Sequence, residues 1–207
     1  MAVTKTHLSD NIREAYRSGI RLFGENRVQE FAGKAPALAD LTAAAWHMIG
    51  HLQSNKAAKA VELFGAVDSV DSVRLADKLN SAARDQHKQI KVLIEINVGG
   101  EEAKSGLPPD SKELESLLLS AHRFEALRCL GLMTVPPFTE NVEGARPYFR
   151  RLRQIRDAIA NRKIASIAMD VLSMGMSHDF EVAIEEGSTC VRVGTAVFGE
   201  RIRPLSG

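Results

Sequence analysis

The chain has 207 residues, 44% of them hydrophobic and 26% charged, a composition that can bury a sizeable core and excludes a disordered or fibrous protein. A formal net charge of +1 supplies no overall basic field, which argues against nucleic acid or an anionic membrane as partner, so any anion must be bound locally. No run reaches the ~20 apolar residues of a membrane span, and Cys129 and Cys190 lie apart in apolar runs, as buried free thiols of a reducing compartment do. The expectation is one cytoplasmic domain over residues 1–207.

Ala2-Val3-Thr4-Lys5 reads as a short strand that ends in a lysine. Alternation puts Val3 and Lys5 on one face, so a Val3 that points into a core leaves the amine at its mouth. Apolar strand-like runs follow at 21–24, 46–50, 66–70, 92–98, 127–135, 171–174 and 190–194. Between them lie helical patterns at 9–18, 27–40, 55–63, 72–86, 110–122, 141–162 and 178–186. In the long one, Tyr148, Leu152, Ile155 and Ile159 recur at helical spacing. Ser72 and Asp110 are the expected N-caps. Arg146, Arg150, Arg151, Arg153 and Arg156 are expected to form a solvated helix face rather than an anion site.

Strict alternation of eight strands with helices predicts parallel strands closed into a (β/α)8 TIM barrel. A doubly wound sheet would need a glycine fingerprint after the first strand, where Lys5-Thr6-His7 stands instead. After the eighth strand only residues 195–207 remain, too few for a full closing helix. Seven helices must then screen eight strands, and the wall beside strands one and eight is expected to be bare.

Functional groups of such a barrel come from the C-terminal ends of its strands, and phosphate sits after strands seven and eight. Lys5 ends strand one, Glu25-Asn26 follows strand two, His47 to His51 closes strand three and Asn97 ends strand five. Ser173-Met174-Gly175-Met176-Ser177 follows strand seven, and Arg192-Val193-Gly194-Thr195 ends strand eight. Gly175 and Gly194 let backbone amides approach an anion, Ser177 and Thr195 add hydroxyls, and the helix opening near His178-Asp179 adds its positive end. An amine beside two anion-binding turns suits a phosphorylated aldehyde. Arg192 either ion-pairs with Glu25 or Asp179 or places its charge against a ligand ring nitrogen, where it opposes ring protonation. His47 and His51 lack the glutamate and third ligand of a zinc site, so pocket lining or a proton relay is the better reading.

The runs Ala2-Val3-Thr4-Lys5-Thr6, Phe23-Gly24-Glu25-Asn26-Arg27-Val28-Gln29-Glu30, Trp46 to Lys56, Val67 to Ser72 and Gly100 to Gly106 resemble the pyridoxal phosphate (PLP) homeostasis proteins. So do Gly131-Leu132-Met133, Leu172 to Ser177, Glu186 to Thr189, Arg192 to Thr195 and Phe198-Gly199-Glu200-Arg201. That family is similar to the N-terminal barrel domain of alanine racemase, fold type III among PLP proteins. The resemblance implies that Lys5 carries PLP as a Schiff base, that Ser177, Gly194 and Thr195 surround the phosphate, that Arg192 faces the ring nitrogen, and that Asn26, His51 and Ser173 complete the cofactor site. It also implies a cofactor carrier and buffer in vitamin B6 and amino acid homeostasis, a monomer or weak dimer without enzymatic turnover, with PLP-dependent apo-enzymes as recipients. The alternatives are a small PLP-dependent amino acid racemase, which needs a placed tyrosine that Tyr16 and Tyr148 do not supply, and a sugar-phosphate aldolase. Family members have a helix before the first strand; here the usual N-terminal helix is lacking, matching the expected gap in the wall.

Overall fold

The structure, a computed structural model, describes residues 1–101 and 105–199. Eight parallel strands lie in sequence order: β1 (Ala2–Val3), β2 (Leu22–Glu25), β3 (Ala45–Met48), β4 (Ala66–Val70), β5 (Ile90–Glu95), β6 (Leu127–Met133), β7 (Ile167–Met176) and β8 (Cys190–Arg192). The sheet closes on itself where Ala2 bridges Val193. Val3 N–H donates to Val193 O at 2.8 Å, Val193 N–H to Met1 O at 3.0 Å, and the Met1 amino group to Val191 O at 2.9 Å. The expected (β/α)8 barrel is therefore present.

Among the described residues eight helices follow the strands: α1 (Ser9–Arg17), α2 (Val28–Lys34), α3 (Ala57–Leu63), α4 (Val73–Asp85), α5 (Lys112–Ser120), α6 (Arg146–Asn161), α7 (Phe180–Glu185) and the single turn α8 (Thr195–Phe198). Ser72 caps α4 as expected, its hydroxyl accepting from Leu75 N–H at 3.2 Å. For α5 the cap is Ser111 and not Asp110, because the turn that brings Ser111 N–H back to Pro108 O leaves the Ser111 hydroxyl facing Leu114 N–H at 3.2 Å. The 27–40 pattern becomes α2 followed by a 3₁₀ turn, Ala35–Leu38, because Pro36 cannot donate to the α-helical ladder.

Strand parity divides the barrel. Phe23, Trp46 and Met48 face the helices, where Phe23 stacks on Trp46 at 4.9 Å and Phe31 of α2 packs on Trp46 at 4.7 Å. Burial of each ring stabilises the layer by roughly 2–3 kcal/mol. The opposite parity fills the barrel with Val3, Leu93 and charged groups.

The wall beside β1 and β8 is better covered than a count of helices implies. β1 is so short that it offers the outside only Ala2, which is 2% exposed. Val191 and Val193 are half-buried, and α8 brings Phe198 against the core. The arginines of α6 also differ from a solvated face. Arg146, Arg150 and Arg153 all reach Glu186, whose carboxylate is enclosed at the end of α7, at 3.3, 2.9 and 3.3 Å. A buried carboxylate needs such neutralisation.

Gly131, at the irregularity where β6 meets β5 and β7, allows the closest backbone approach in the sheet: a Cβ there would lie 1.9 Å from Val171 O. Gly131→Ala should therefore lower folding stability by about 3 kcal/mol or more, since backbone and not a flexible side chain must move. Urea denaturation checks this; a loss near that of a tolerated surface change would show that β6 and β7 can part without cost.

Candidate functional site

A cavity of about 550 Å³ opens at the C-terminal ends of β1, β2, β7 and β8, within the size range of small-molecule and cofactor pockets. Lys5, Asn26, Ser177, Arg192, Gly194 and Thr195 line it, with Val3, Ile49, Val135, Met176 and His178 as the apolar and aromatic parts of the wall. Val3 and Lys5 share the cavity as strand alternation predicts. Six of the eight cofactor residues read from the sequence thus come together.

One end of the cavity is built to hold an anion. The Ser177 hydroxyl oxygen accepts from Gly194 N–H at 3.0 Å and from Ala196 N–H at 3.3 Å. With both acceptor positions so engaged, its own proton remains available to a further acceptor. The turn that carries Ser177 is fixed by Asp179, whose carboxylate accepts from Met176 N–H at 2.6 Å. Gly175 has φ +91° and a Cβ there would meet Ala183 Cβ at 2.5 Å, so only glycine permits this turn.

Arg192 is 4% exposed and lines the cavity. Its guanidinium donates to Ser173 O at 2.7 Å, to the Ser173 hydroxyl at 2.8 Å and to Thr134 O at 2.7 Å. The expected ion pairs with Glu25 and Asp179 do not form. Glu25 is engaged by Lys34 at 2.7 Å, and Asp179 by the Met176 amide. Burial lowers the Arg192 pKa, against the fields of Cys190, Asp68, Glu95 and Asp179, which raise it; a guanidinium nonetheless stays protonated in a protein. Among the described residues no carboxylate contacts it, so its charge is left to act on the cavity.

Ser173 and His51 do not line the cavity. Ser173 is fully buried and serves Arg192. His51 is exposed, with Nδ1 at 3.2 Å from Asp71. His47 sits at the other end of the barrel, in a cavity with Leu22, Ala66 and Lys91, its Nδ1 at 3.0 Å from Asp68. Strand stagger explains this, since His47 pairs in register with Ala66, the first residue of β4. Asn97 lies beyond the end of β5 and ties its own loop, accepting from Gly100 N–H at 3.0 Å and donating to Glu101 O at 2.8 Å. The quoted runs at 102–104 and 200–201 lie outside the described residues.

The sequence reading passed over Glu95. At the end of β5 it is 6% exposed, and its Oε2 has no hydrogen-bond partner. Burial, aided by Asp71 and opposed by Arg192, pushes its pKa up to about 7. Its parity with Lys91 and Leu93, which face the barrel interior, is the signal that could have found it.

A carboxyl with a raised folded pKa binds its proton more tightly when folded, so its stabilisation is complete below the ordinary value of 4.5 and is lost as pH rises through about 7. Glu95→Gln should remove that loss, gaining on the parent by about 3 kcal/mol between pH 4 and pH 8. Denaturant melts at the two pH values read the difference; equal pH dependence in both proteins would assign the titration elsewhere.

The model of the alanine racemase N-terminal domain family matches residues 1–202. Among curated relatives, the pyridoxal phosphate homeostasis protein of Aquifex aeolicus is 47% identical over 201 residues, covering 97% of this chain and 86% of its own. The proteins of the same description from Escherichia coli K12 and Homo sapiens are both 41% identical, over 97% of this chain and 85% and 76% of theirs. Among solved structures, PipY of Synechococcus elongatus with PLP bound superposes with a TM-score of 0.88 at 37% identity, over 96% of this chain and 91% of that one. Alanine racemase of Clostridium difficile reaches a TM-score of 0.73 at 13% identity, over 98% of this chain and 52% of the racemase, a likeness of fold alone.

Proposed function

The chain belongs to the pyridoxal phosphate homeostasis proteins, within the alanine racemase N-terminal domain family, and from that premise we propose that it binds PLP in the cavity described above and acts as a carrier and buffer of the cofactor. One observation supports this reading above the others. Lys5, the Ser177–Gly194 anion cup and the buried Arg192 all line the same cavity. Bound there, PLP supplies an aldehyde that condenses reversibly with a lysine amine.

The residues of the chain then have separate tasks. Lys5 is the attachment point. Ser177, Gly194 and Thr195 would surround the phosphate, with the hydroxyls of Ser177 and Thr195 as its donors and the Gly194 and Ala196 amides fixing the Ser177 oxygen. Arg192, positioned by Ser173 and Thr134, would place its charge where it opposes protonation of a ring nitrogen, which would keep the ring a weak electron sink. Asn26 would complete the lining. Gly50 lets the loop after β3 lie against Asn26, where a Cβ would come within 2.4 Å of the Asn26 carbonyl oxygen.

This distribution favours storage over turnover. Neither Tyr16, on α1, nor Tyr148, on α6, lines the cavity, so no phenol stands by as a second acid or base. The racemase alternative rests on fold likeness at 13–18% identity, and fold does not carry activity. We further read residues 1–207 as one domain, working in the cytoplasm as a monomer or weak dimer and delivering PLP to apo-enzymes. Two free, half-buried thiols suit a reducing compartment, and no helix of the described residues is long and apolar enough to cross a membrane.

Mixing the protein with PLP should produce a visible absorbance band that borohydride fixes onto the peptide containing Lys5. Lys5→Ala should abolish the band, and a band that survives in it would overturn the assignment. Ser177→Ala should weaken PLP binding about tenfold, the effect of losing one hydrogen bond to a charged group. Release of the α-hydrogen of alanine into deuterated water, well above the rate with free PLP, would instead establish the racemase reading.

A further inference from the structure

Outside the cavity, the clearest unexplained feature is a charge cluster wrapped around the turn that carries Lys5. Lys34, near the end of α2, places its ammonium 2.7 Å from Glu25 and 2.9 Å from Glu30. Glu25 is fully buried, an unusual place for a carboxylate on the helix-ward end of a strand. The same ammonium donates to the Thr4 carbonyl at 3.0 Å, while the Thr4 hydroxyl donates to Glu25 at 2.7 Å. On the far side of Lys5, Thr6 N–H donates to Glu30.

Lys5 is thus bracketed by two residues whose backbones are gripped by charged side chains of α2, while Glu25 of β2 holds the Thr4 hydroxyl. The bracket has a physical reason. Strand pairing reaches Thr4, whose N–H donates to Gly24 O at 2.9 Å, and goes no further along this segment. Thr6 then takes φ +66°, a left-handed conformation that a β-branched residue avoids. Such strain persists only when surrounding groups over-determine it, and it concentrates at functional sites. Here the surrounding groups are Glu30 on the Thr6 amide and Lys34 on the Thr4 carbonyl.

We propose that Lys34, clamped between Glu25 and Glu30, is a positioning residue for cofactor attachment: it holds the Thr4–Thr6 turn so that the Lys5 amine is presented to the cavity. The inference rests on the reading that Lys5 is the attachment point. Lys34 touches neither the cavity lining nor the anion cup, so the two parts of PLP binding separate. The phosphate and ring are held by β7 and β8 whatever Lys34 does, whereas covalent capture depends on it.

The test compares Lys34→Met, Lys34→Arg and Glu30→Ala with the parent protein, using two probes. PLP reports capture, through the borohydride-fixed label on Lys5 across pH. Pyridoxine 5'-phosphate, which has the ring and phosphate but no aldehyde, reports the non-covalent site. Lys34→Met should lose about tenfold or more in PLP affinity, the scale of one charge-assisted contact, and shift the pH profile of capture, with pyridoxine phosphate affinity unchanged. Lys34→Arg should recover much of the loss. Glu30→Ala, which keeps the buried Lys34–Glu25 pair and so the fold, should show a smaller loss of the same kind. In the cofactor-free protein both non-conservative variants should speed exchange of the Thr6 amide hydrogen. Capture by Lys34→Met equal to that of the parent overturns the inference, as does an equal loss for both probes, which marks general damage. Parent protein that captures no PLP on Lys5 overturns the attachment reading, and this inference with it.

Discussion

Closure of the sheet between β1 and β8 is the constraint on which the site depends. The two strands are the shortest of the eight, two and three residues, and they lie almost the whole chain apart in sequence. Their pairing is nevertheless what sets Lys5 beside Gly194 and Arg192. Three backbone hydrogen bonds between the segment from Met1 to Val3 and the segment from Val191 to Val193 carry that pairing. Each is worth only about 1 kcal/mol net, but they are the last contacts in a ring whose other seven seams are already ordered, so they form with little further entropic cost.

Within the ring, the interior is charged where a barrel of this kind is usually packed with branched apolar residues. Arg192, Glu95 and Asp68 are each buried inside it. Arg192 is hydrogen-bonded to carbonyl and hydroxyl oxygens, which satisfy its donors without cancelling its charge. A formal cation with neutral partners in a low-dielectric interior projects its field into the adjoining cavity. That field gives the cavity a local positive character in a molecule whose net charge is only +1.

The fold and the core of the site were legible because they rest on local patterns. Alternation of apolar runs and amphipathic segments marked all eight strands and seven of the helices, and parity in the first five residues was enough to place Val3 and Lys5 together. Glycines flanked by hydroxyl residues marked the anion cup. What escaped was long-range. The partners of Arg192 include backbone oxygens of Thr134, just past β6, and of Ser173 in β7, which no residue type announces, so the sequence offered Glu25 and Asp179 as candidate partners beside the ligand-facing reading. His47 was assigned to the wrong end of the barrel because strand stagger is not visible in a single strand. Nothing local in the sequence shows that α2 returns Lys34 to the turn after β1.

The two halves of the site differ in how they are held, and the difference bears on function. The Ser177 end is fixed by backbone: amides of Gly194 and Ala196 that hold the Ser177 hydroxyl, a turn that only glycine permits, and an aspartate that fixes it. The Lys5 turn is held by side-chain charge across a strained threonine. Backbone geometry is insensitive to its surroundings, whereas a clamp of one ammonium between two carboxylates responds to pH, to ionic strength and to any group that approaches it. The β7–β8 end of the cavity is thus set by backbone geometry, and the Lys5 turn by the more conditional Lys34 cluster.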